Sequence, residues 1–528
     1  RKKYNTGFNF FSILLASIAL LMLLNFIISF SPPWHFDVVA YHLAVQKIYI
    51  EHHKIIHLPF IFFSNLPPLV DTISLMGLLL RNGILSNLFA YALGIALVFA
   101  IYSFCKRFFD KKTAILSSFI FYSLPMTIKF SSTAHVDVQL ALFFFLSYFA
   151  LFLYFKYDDN KWLVLCAIFA GLGASSKIWG GIAVIGIFIL LVAHLFGKVA
   201  KKHVNLKAAV FRIMAFCLIV FIVTSPWLLK NYFFTGNPVW PAFNGLFKGK
   251  YWDEKHQEDL AELIRLRETS AINYIRLPWD IHTQQGKNIN NIDEDEGIGP
   301  YFLAFLPLYF FLKKKNKIIN VFFALLFIYI TIWFFLSYML RYLIFAVPMI
   351  AIISAYVIKE LLNNNLLSRI LKFLLIFTFC FSLLIWIGSN VKELPVAIGL
   401  ETKDAFYSKY PGAIYKASKF INLNVPENSK ILLFRDTRGF FLERDYLWGD
   451  PLYQTIIDYS KIYNGDDFYR ELKNLGVTHI LVNNEFEWHG AIALRYNKRI
   501  SDIKNDFLKK YTINIYDNDG ILINEVKK

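Results

Sequence analysis

Cysteine is scarce in this sequence. Cys105, Cys166, Cys217 and Cys380 are the only four in 528 residues, and each lies within or at the end of an apolar segment. Without paired spacing they give neither a disulfide framework nor a metal cluster. Acidic side chains are the minority charge, 38 against 55 Lys and Arg, for a formal net charge of +17. Much of that excess sits in short clusters between apolar runs, the positive-inside pattern of cytoplasmic loops. A nucleic-acid partner is therefore not expected. Heptads, low-complexity tracts and internal repeats are also missing, which removes coiled-coil and solenoid architectures.

What the chain has is apolar length. Hydrophobic residues make up 56%, Phe alone numbers 55, and mean hydropathy is +0.46. A soluble fold could not cover that much apolar surface, whereas a bilayer accepts it around every helix. At roughly 20 apolar residues per span, helices are predicted near 8–30, 84–105, 113–128, 133–155, 162–177, 179–196, 210–230, 299–312, 318–338, 341–359 and 367–388. The first follows Arg1, Lys2 and Lys3 and continues into Ser31-Pro32-Pro33-Trp34 without a small-residue cleavage site, so it reads as a retained signal anchor. Alternating sides from a cytoplasmic N-terminus puts every short basic loop inside, from Lys106 and Arg107 through Lys156, Lys198 and Lys313–Lys315 to Lys359 and Arg369. Segments 31–83, 231–298 and 389–528 then lie outside.

The expected fold class is a polytopic α-helical membrane protein of about eleven spans with a C-terminal α/β soluble domain. Residues 1–388 form the membrane domain and 389–528 the extracytoplasmic domain. The latter carries strand-like runs at Lys430–Phe434 and Thr478–Val482 and a helical pattern from Ala413 to Ile421. A hairpin signal follows, with Asp517-Asn518-Asp519-Gly520 between Thr512–Tyr516 and Ile521–Glu525. A lid, docking, substrate-selecting or scaffolding role fits this domain equally.

Two acids stand at predicted span ends: Asp37, shortly after the first helix, and Asp137, at the start of the fourth. Carboxylates at that depth can face a cavity, deprotonate an acceptor or hold a divalent cation; they can equally cap helix N-termini. Lys177 and Arg341 fall in turns on the same side, as phosphate contacts or as snorkelling or ion-paired cations. The first loop reads as an amphipathic helix over Asp37–Glu51, with Val38, Tyr41, Val45, Ile48 and Tyr49 on one side, and a second after Pro59. These fit either the membrane surface or a loop folded onto the bundle. His52, His53 and His57 lack ligand spacing and are expected in solvent.

Taken in order, Phe36-Asp37-Val38-Val39-Ala40-Tyr41-His42-Leu43-Ala44, His135-Val136-Asp137 and Gly171-Leu172-Gly173-Ala174-Ser175-Ser176-Lys177 resemble the lipid-phosphate-dependent glycosyltransferases of the GT-C fold. So do Pro226-Trp227-Leu228-Leu229-Lys230-Asn231-Tyr232-Phe233-Phe234-Thr235-Gly236-Asn237-Pro238, Arg341-Tyr342 and Leu475-Gly476-Val477-Thr478-His479. The nearest branch is that of the protein O-mannosyltransferases and aminoarabinose transferases (glycosyltransferase family 39-like), and the resemblance spans nearly the whole chain. It implies inverting transfer from a polyprenyl-phosphate-linked sugar donor to a protein, lipid or glycan acceptor, at the outer face of a prokaryotic plasma membrane. Asp37 inherits the general-base role and Asp137 the second acidic position. Tyr41, His42, His135, Lys177, Arg341 and Tyr342 become substrate-binding candidates. Asp37 is followed by Val38 where many mannosyltransferases carry an acidic pair, so a metal-free mechanism is expected, although a divalent cation stays compatible. The competing readings are a transporter or flippase of lipid-linked or anionic solutes, which would show repeated halves and midplane charges, and a non-catalytic envelope assembly protein.

Overall fold

The computed structural model describes residues 10–177, 179–252, 254, 256–258, 270–283, 297–336, 339–486 and 498–527. Arg1, Lys2 and Lys3, much of the 231–298 segment and Tyr338 lie outside these residues. The chain divides into two compact units. One comprises 1–31, 84–226 and 267–398; the other comprises 32–83, 227–266 and 399–528.

The first unit is helical. Among the described residues, seven helices are long and apolar enough to cross a membrane: α1 (Phe10–Ile28), α4 (Gly83–Phe108), α7 (Asp137–Tyr157), α9 (Gly180–Ala200), α10 (Leu206–Thr235), Lys317–Leu336 and Asn365–Asn390. The other four predicted spans are helical but short or broken. The third splits into α5 (Lys111–Tyr122) and α6 (Pro125–Phe130). Pro125 has no N–H and forces Leu124 into extended backbone, ψ 136°. The fifth is α8 (Asn160–Ala174). The eighth breaks before Pro307, and the tenth becomes a 3₁₀ turn, Leu340–Phe345, followed by the helix Val347–Leu361.

Helix α5 and the helix Val347–Leu361 are buried along nearly their whole length. They form the core, and the outer helices turn side chains such as Phe99, Phe211, Phe327 and Phe373 outward. Rows of exposed Phe on helices of spanning length are a lipid-facing surface. The protein is an integral, multi-pass membrane protein. Polar groups inside the unit are bonded to one another. Asn25, fully buried, donates to the Tyr122 hydroxyl (3.3 Å) and to the Ile128 carbonyl (3.1 Å) and accepts from the Trp386 indole (2.9 Å). It ties α1, α5, α6 and the helix Asn365–Asn390 together where water is absent. Basic helix ends also gather: Asp158, in the left-handed turn after α7, accepts from Lys198 at 2.8 Å and Arg212 at 3.3 Å.

The second unit carries a five-stranded sheet, ordered β2 (Asp445–Trp448), β1 (Lys430–Phe434), β3 (His479–Asn483), β5 (Ile521–Val526), β4 (Thr512–Asn518). The pairs β1–β2 and β1–β3 are parallel, and the last three strands are antiparallel. Ile-Leu-Leu-Phe in β1 and Ile-Leu-Val in β3 are continuous apolar runs because both faces of these strands are covered. Leu432, Phe434, Ile480 and Val482 pack under the helices Gly465–Asn474 and Lys498–Tyr511 through Phe468, Leu472, Ile503 and Phe507. Ile431, Leu433, Trp448 and Leu481 pack under the helix Ala413–Asn424 and under the first loop, whose α2 (Leu43–Glu51) contributes Val45, Ile48 and Tyr49.

The apolar side of α2 is therefore consumed by the core of the C-terminal sheet and is not left as an exposed amphipathic stripe. Backbone bonds reinforce the join, with Phe62 N–H to the Tyr453 carbonyl at 2.9 Å and Thr455 N–H to the Pro59 carbonyl at 3.0 Å. The environment of His57 also departs from expectation. His52 and His53 are exposed, but the His57 ring packs against Phe234 and Tyr251 at 5.6 and 4.8 Å.

Because α2 completes the sheet's core, Ile48→Ala is expected to destabilise the C-terminal sheet by about 2–5 kcal/mol. Hydrogen exchange at the β1 and β3 amides, compared between wild type and variant, measures this.

Candidate active site

In the second unit, Asp37 heads the first-loop helix. Val38–His42 forms a π-helical stretch that passes into α2 at Leu43. This widened turn, uncommon and concentrated at functional positions, starts directly after Asp37. Asp37 is half-buried. Its neighbour Phe36 stacks on Phe486 (centroids 5.3 Å, planes 17° apart), and the Arg438 guanidinium lies 5.7 Å from both rings. Arg438 is itself fixed by Asp436, which is fully buried. Arg438 Nε donates to Asp436 Oδ1 at 2.9 Å and Nη2 to Oδ2 at 2.6 Å, while Asn483 Nδ2 also donates to Oδ2 at 2.9 Å.

A bidentate guanidinium–carboxylate pair is the most geometrically restrictive ion pair available to a protein. Here it holds the Arg438 guanidinium against the ring of Phe36, the neighbour of Asp37. Asp436 and Arg438 follow the end of β1, and Asn483 ends β3. This is the carboxyl edge of the parallel strands where the chain reverses its direction across the sheet. Sequence reasoning did not select them. The charged run Arg435-Asp436-Thr437-Arg438 directly after a strand-like segment was the available signal.

Tyr41 and His42 lie in the π-helical stretch, with rings 4.3 Å apart. His42 is buried, and its Nδ1 stands 2.7 Å from Asp71 Oδ1 on α3 (Leu69–Leu80). Tyr41 stacks on Phe63 at 4.4 Å.

The first unit brings together Asp137, Lys177, Arg341 and Tyr342. Asp137 opens α7 and is 1% exposed; Lys177, in the turn after α8, donates to it at 2.7 Å. The Lys177 ammonium also lies over the Tyr342 ring at 4.3 Å, the Arg341 guanidinium lies 5.7 Å from the same ring, and Trp179 packs on it at 5.4 Å. Such cation–aromatic contacts strengthen once water is excluded. The turn that carries Arg341 and Tyr342 is held from Lys317–Leu336, where the Trp333 indole donates to the Met339 carbonyl at 3.0 Å and the Tyr329 hydroxyl to the Tyr342 carbonyl at 2.5 Å. His135 is buried against Phe130, with Nδ1 2.8 Å from the Thr133 hydroxyl. Asn87 links this region to the end of α1: it accepts from Ala134 N–H at 2.9 Å and donates to the Ser31 carbonyl at 3.0 Å. Asp37 follows Ser31 by six residues in the chain.

Among the described residues, no group of three or more His, Cys, Asp or Glu side chains could hold a metal ion. Asp71 is engaged by His42 and Asp137 by Lys177.

Residues 66–227 match the dolichyl-phosphate-mannose-protein mannosyltransferase family. The ArnT of Cupriavidus metallidurans bound to undecaprenyl phosphate superposes with a TM-score of 0.60 at 12% identity, over 97% of this chain and 98% of that one. The oligosaccharyltransferase of Archaeoglobus fulgidus, tethered to an acceptor peptide containing the NVT sequon, gives a TM-score of 0.54 at 14% identity, over 98% of this chain and 74% of that one. The chain shares the fold of these two solved proteins, and its segment 66–227 is similar to the mannosyltransferase family. No curated protein sequence matches the chain. The matched segment starts just before α3 and ends within α10, just past Pro226, so it includes Asp137 and Lys177.

The Asp137–Lys177 pair has an energetic signature of its own. Lys177→Met leaves Asp137 buried without this countercharge and is expected to cost about 3–5 kcal/mol, whereas the double variant Asp137→Asn/Lys177→Met recovers most of that loss. Thermal unfolding of the four proteins of this double-mutant cycle in one detergent is the measurement.

Proposed function

We propose that the protein transfers a sugar from a polyprenyl-phosphate-linked donor to an extracytoplasmic protein, lipid or glycan acceptor, with inversion at the anomeric carbon. Asp37 acts as general base. Its carboxylate takes the proton of an acceptor hydroxyl as the oxygen attacks C1, the bond from C1 to the phosphate oxygen breaks, and the polyprenyl phosphate departs with its negative charge. A monophosphate leaving group needs charge stabilisation more than a metal clamp. Lys177 and Arg341 are the candidate contacts to it. One of the three N–H donors of Lys177 is used by Asp137, which leaves two for phosphate oxygens. Asp137 thus serves as a positioning residue for Lys177. Tyr41, His42, His135 and Tyr342 contribute walls and hydrogen bonds around the substrates.

The observation that carries this reading is the mounting of Asp37. It is a half-buried carboxylate at the head of a π-helical turn, with the adjacent Phe36 braced by the buried Asp436–Arg438 pair. A catalytic group needs such rigid support to act within a narrow geometric tolerance. The undecaprenyl phosphate bound by the similar ArnT supports a lipid-phosphate donor. The basic helix ends gathered around Asp158 support a cytoplasmic location for that end of the bundle, with the Asp137–Lys177 end outside.

Asp37→Asn keeps the shape of the side chain and removes its basicity. Sugar transfer from a polyprenyl-phosphate donor should fall about 10²–10⁴-fold with insertion and unfolding temperature unchanged. Transfer at the wild-type rate by the purified variant would disprove the base assignment.

A further inference from the structure

Asp71 is the only acidic residue of α3. Pro67 and Pro68 stand directly before the helix, and the second proline's fixed φ and missing N–H suit a helix start, so Asp71 falls in the first turn. A carboxylate is favoured at that end of a helix dipole. Asp71 is not used to cap its own helix, however. Among the described residues its one hydrogen bond is the 2.7 Å contact between Oδ1 and His42 Nδ1. The two side chains are 16% and 7% exposed, so water and salt screen the contact little. An ionised carboxylate can only accept. His42 Nδ1 therefore carries the hydrogen in this bond, and Nε2 is the acceptor nitrogen of the neutral ring. The charge of Asp71 is also felt at Tyr49, buried on α2, whose hydroxyl is pushed up by burial first and by Asp71 second.

The π-helical turn supplies the other half of the geometry. Leu43 N–H bonds the Val38 carbonyl, five residues back. At about 3.6 residues per turn in an α-helix, a residue at position 42 would point well away from one at 37. A turn widened to five residues brings the two back toward one side. Tyr41, with its ring 4.3 Å from that of His42, shares this side. A structural tie between α2 and α3 could be made from an ordinary helix. The widened turn adds something that such a tie does not need, which is the alignment of His42 with Asp37.

We propose that Asp71 is a positioning residue for the transfer reaction, holding His42 in the Nδ1–H tautomer so that Nε2 accepts a hydrogen bond from a hydroxyl of the donor sugar. The assignment rests on the transfer centre being at Asp37. His42 forms no covalent bond and gains no proton in the step, because the proton of the acceptor hydroxyl still goes to Asp37. The opposite tautomer would present an N–H where the sugar needs an acceptor, and the ring would then misplace the anomeric carbon relative to Asp37.

Two measurements on the full chain in nanodiscs test this. Solid-state NMR of ¹⁵N-labelled histidine, with the His42 signals assigned by their loss in His42→Gln, should show Nδ1 protonated in the neutral ring. The Nε2-protonated form should appear in Asp71→Asn, while Asp71→Glu, which keeps a carboxylate, should retain the wild-type signals. The second measurement is transfer from polyprenyl-phosphate mannose, glucose or aminoarabinose to acceptors extracted from native membranes. Asp71→Asn should lower kcat about tenfold, the weight of one lost hydrogen bond, with KM for the donor little changed. The double variant Asp71→Asn/His42→Gln should be no slower than His42→Gln alone, because Asp71 acts through His42. The positioning role is overturned if Asp71→Asn keeps the wild-type tautomer or the wild-type kcat, or if the losses of the two single variants multiply in the double one. Transfer by Asp37→Asn at the wild-type rate would overturn the transfer centre, and the positioning role with it. A large loss in Asp37→Asn alongside any of the preceding failures would overturn the positioning role alone.

Discussion

Hydrocarbon offers the backbone no hydrogen-bond partner, and the arrangement of the first unit follows from that single constraint. Where the chain stays helical the requirement is met internally. At Pro125 the helix breaks, and its carbonyls are taken up by side chains from elsewhere: Ser382 donates to the Ser123 carbonyl at 2.6 Å and Asn25 to that of Ile128 at 3.1 Å. A broken helix is tolerable here because it is buried in protein. Irregular backbone is otherwise confined largely to helix ends, and those ends hold Asp137, Lys177, Arg341 and Tyr342. The bilayer thus decides where chemistry can be placed before any side chain is chosen.

The second unit is governed by a different economy of surface. Its sheet buries both faces, yet the helix Ala413–Asn424 does not cover one of them alone. Val45, Ile48, Tyr49, Leu58 and Ile61, from a loop almost four hundred residues earlier, complete that core. Asp37 gains from this arrangement, because a residue that would otherwise stand on a surface loop is attached to a packed α/β domain. The Asp436–Arg438 pair at the carboxyl edge of β1 adds a second constraint through Phe36. The soluble segment therefore contributes structure to the candidate catalytic loop, a role that none of its own motifs announced.

Much of the outline was legible in the residues. Uninterrupted apolar runs mark spans because length and hydrophobicity are local properties, and Lys430–Phe434, Thr478–Val482 and the Asp517–Gly520 turn mark strands and a hairpin for the same reason. Asp137, Lys177 and Arg341 could be placed on one side by counting crossings. Their pairing could not, since sequence spacing says nothing about a 2.7 Å contact between the start of α7 and the turn after α8. His57, expected in solvent, is half-buried because Phe234 and Tyr251 arrive from a distant segment. The amphipathic pattern of α2 was readable as a pattern. Its partner was not, because a membrane surface and a protein core both take an apolar stripe.

Composition and periodicity thus determined the membrane class, the spans as helices and the α/β character of the C-terminal segment, because these depend on each residue's own transfer energy and backbone preference. Tertiary structure alone decided which charges neutralise one another, which loop completes the sheet and which histidine meets a carboxylate. Those outcomes depend on distances between residues far apart in the chain, and hydrophobic patterning does not encode such distances.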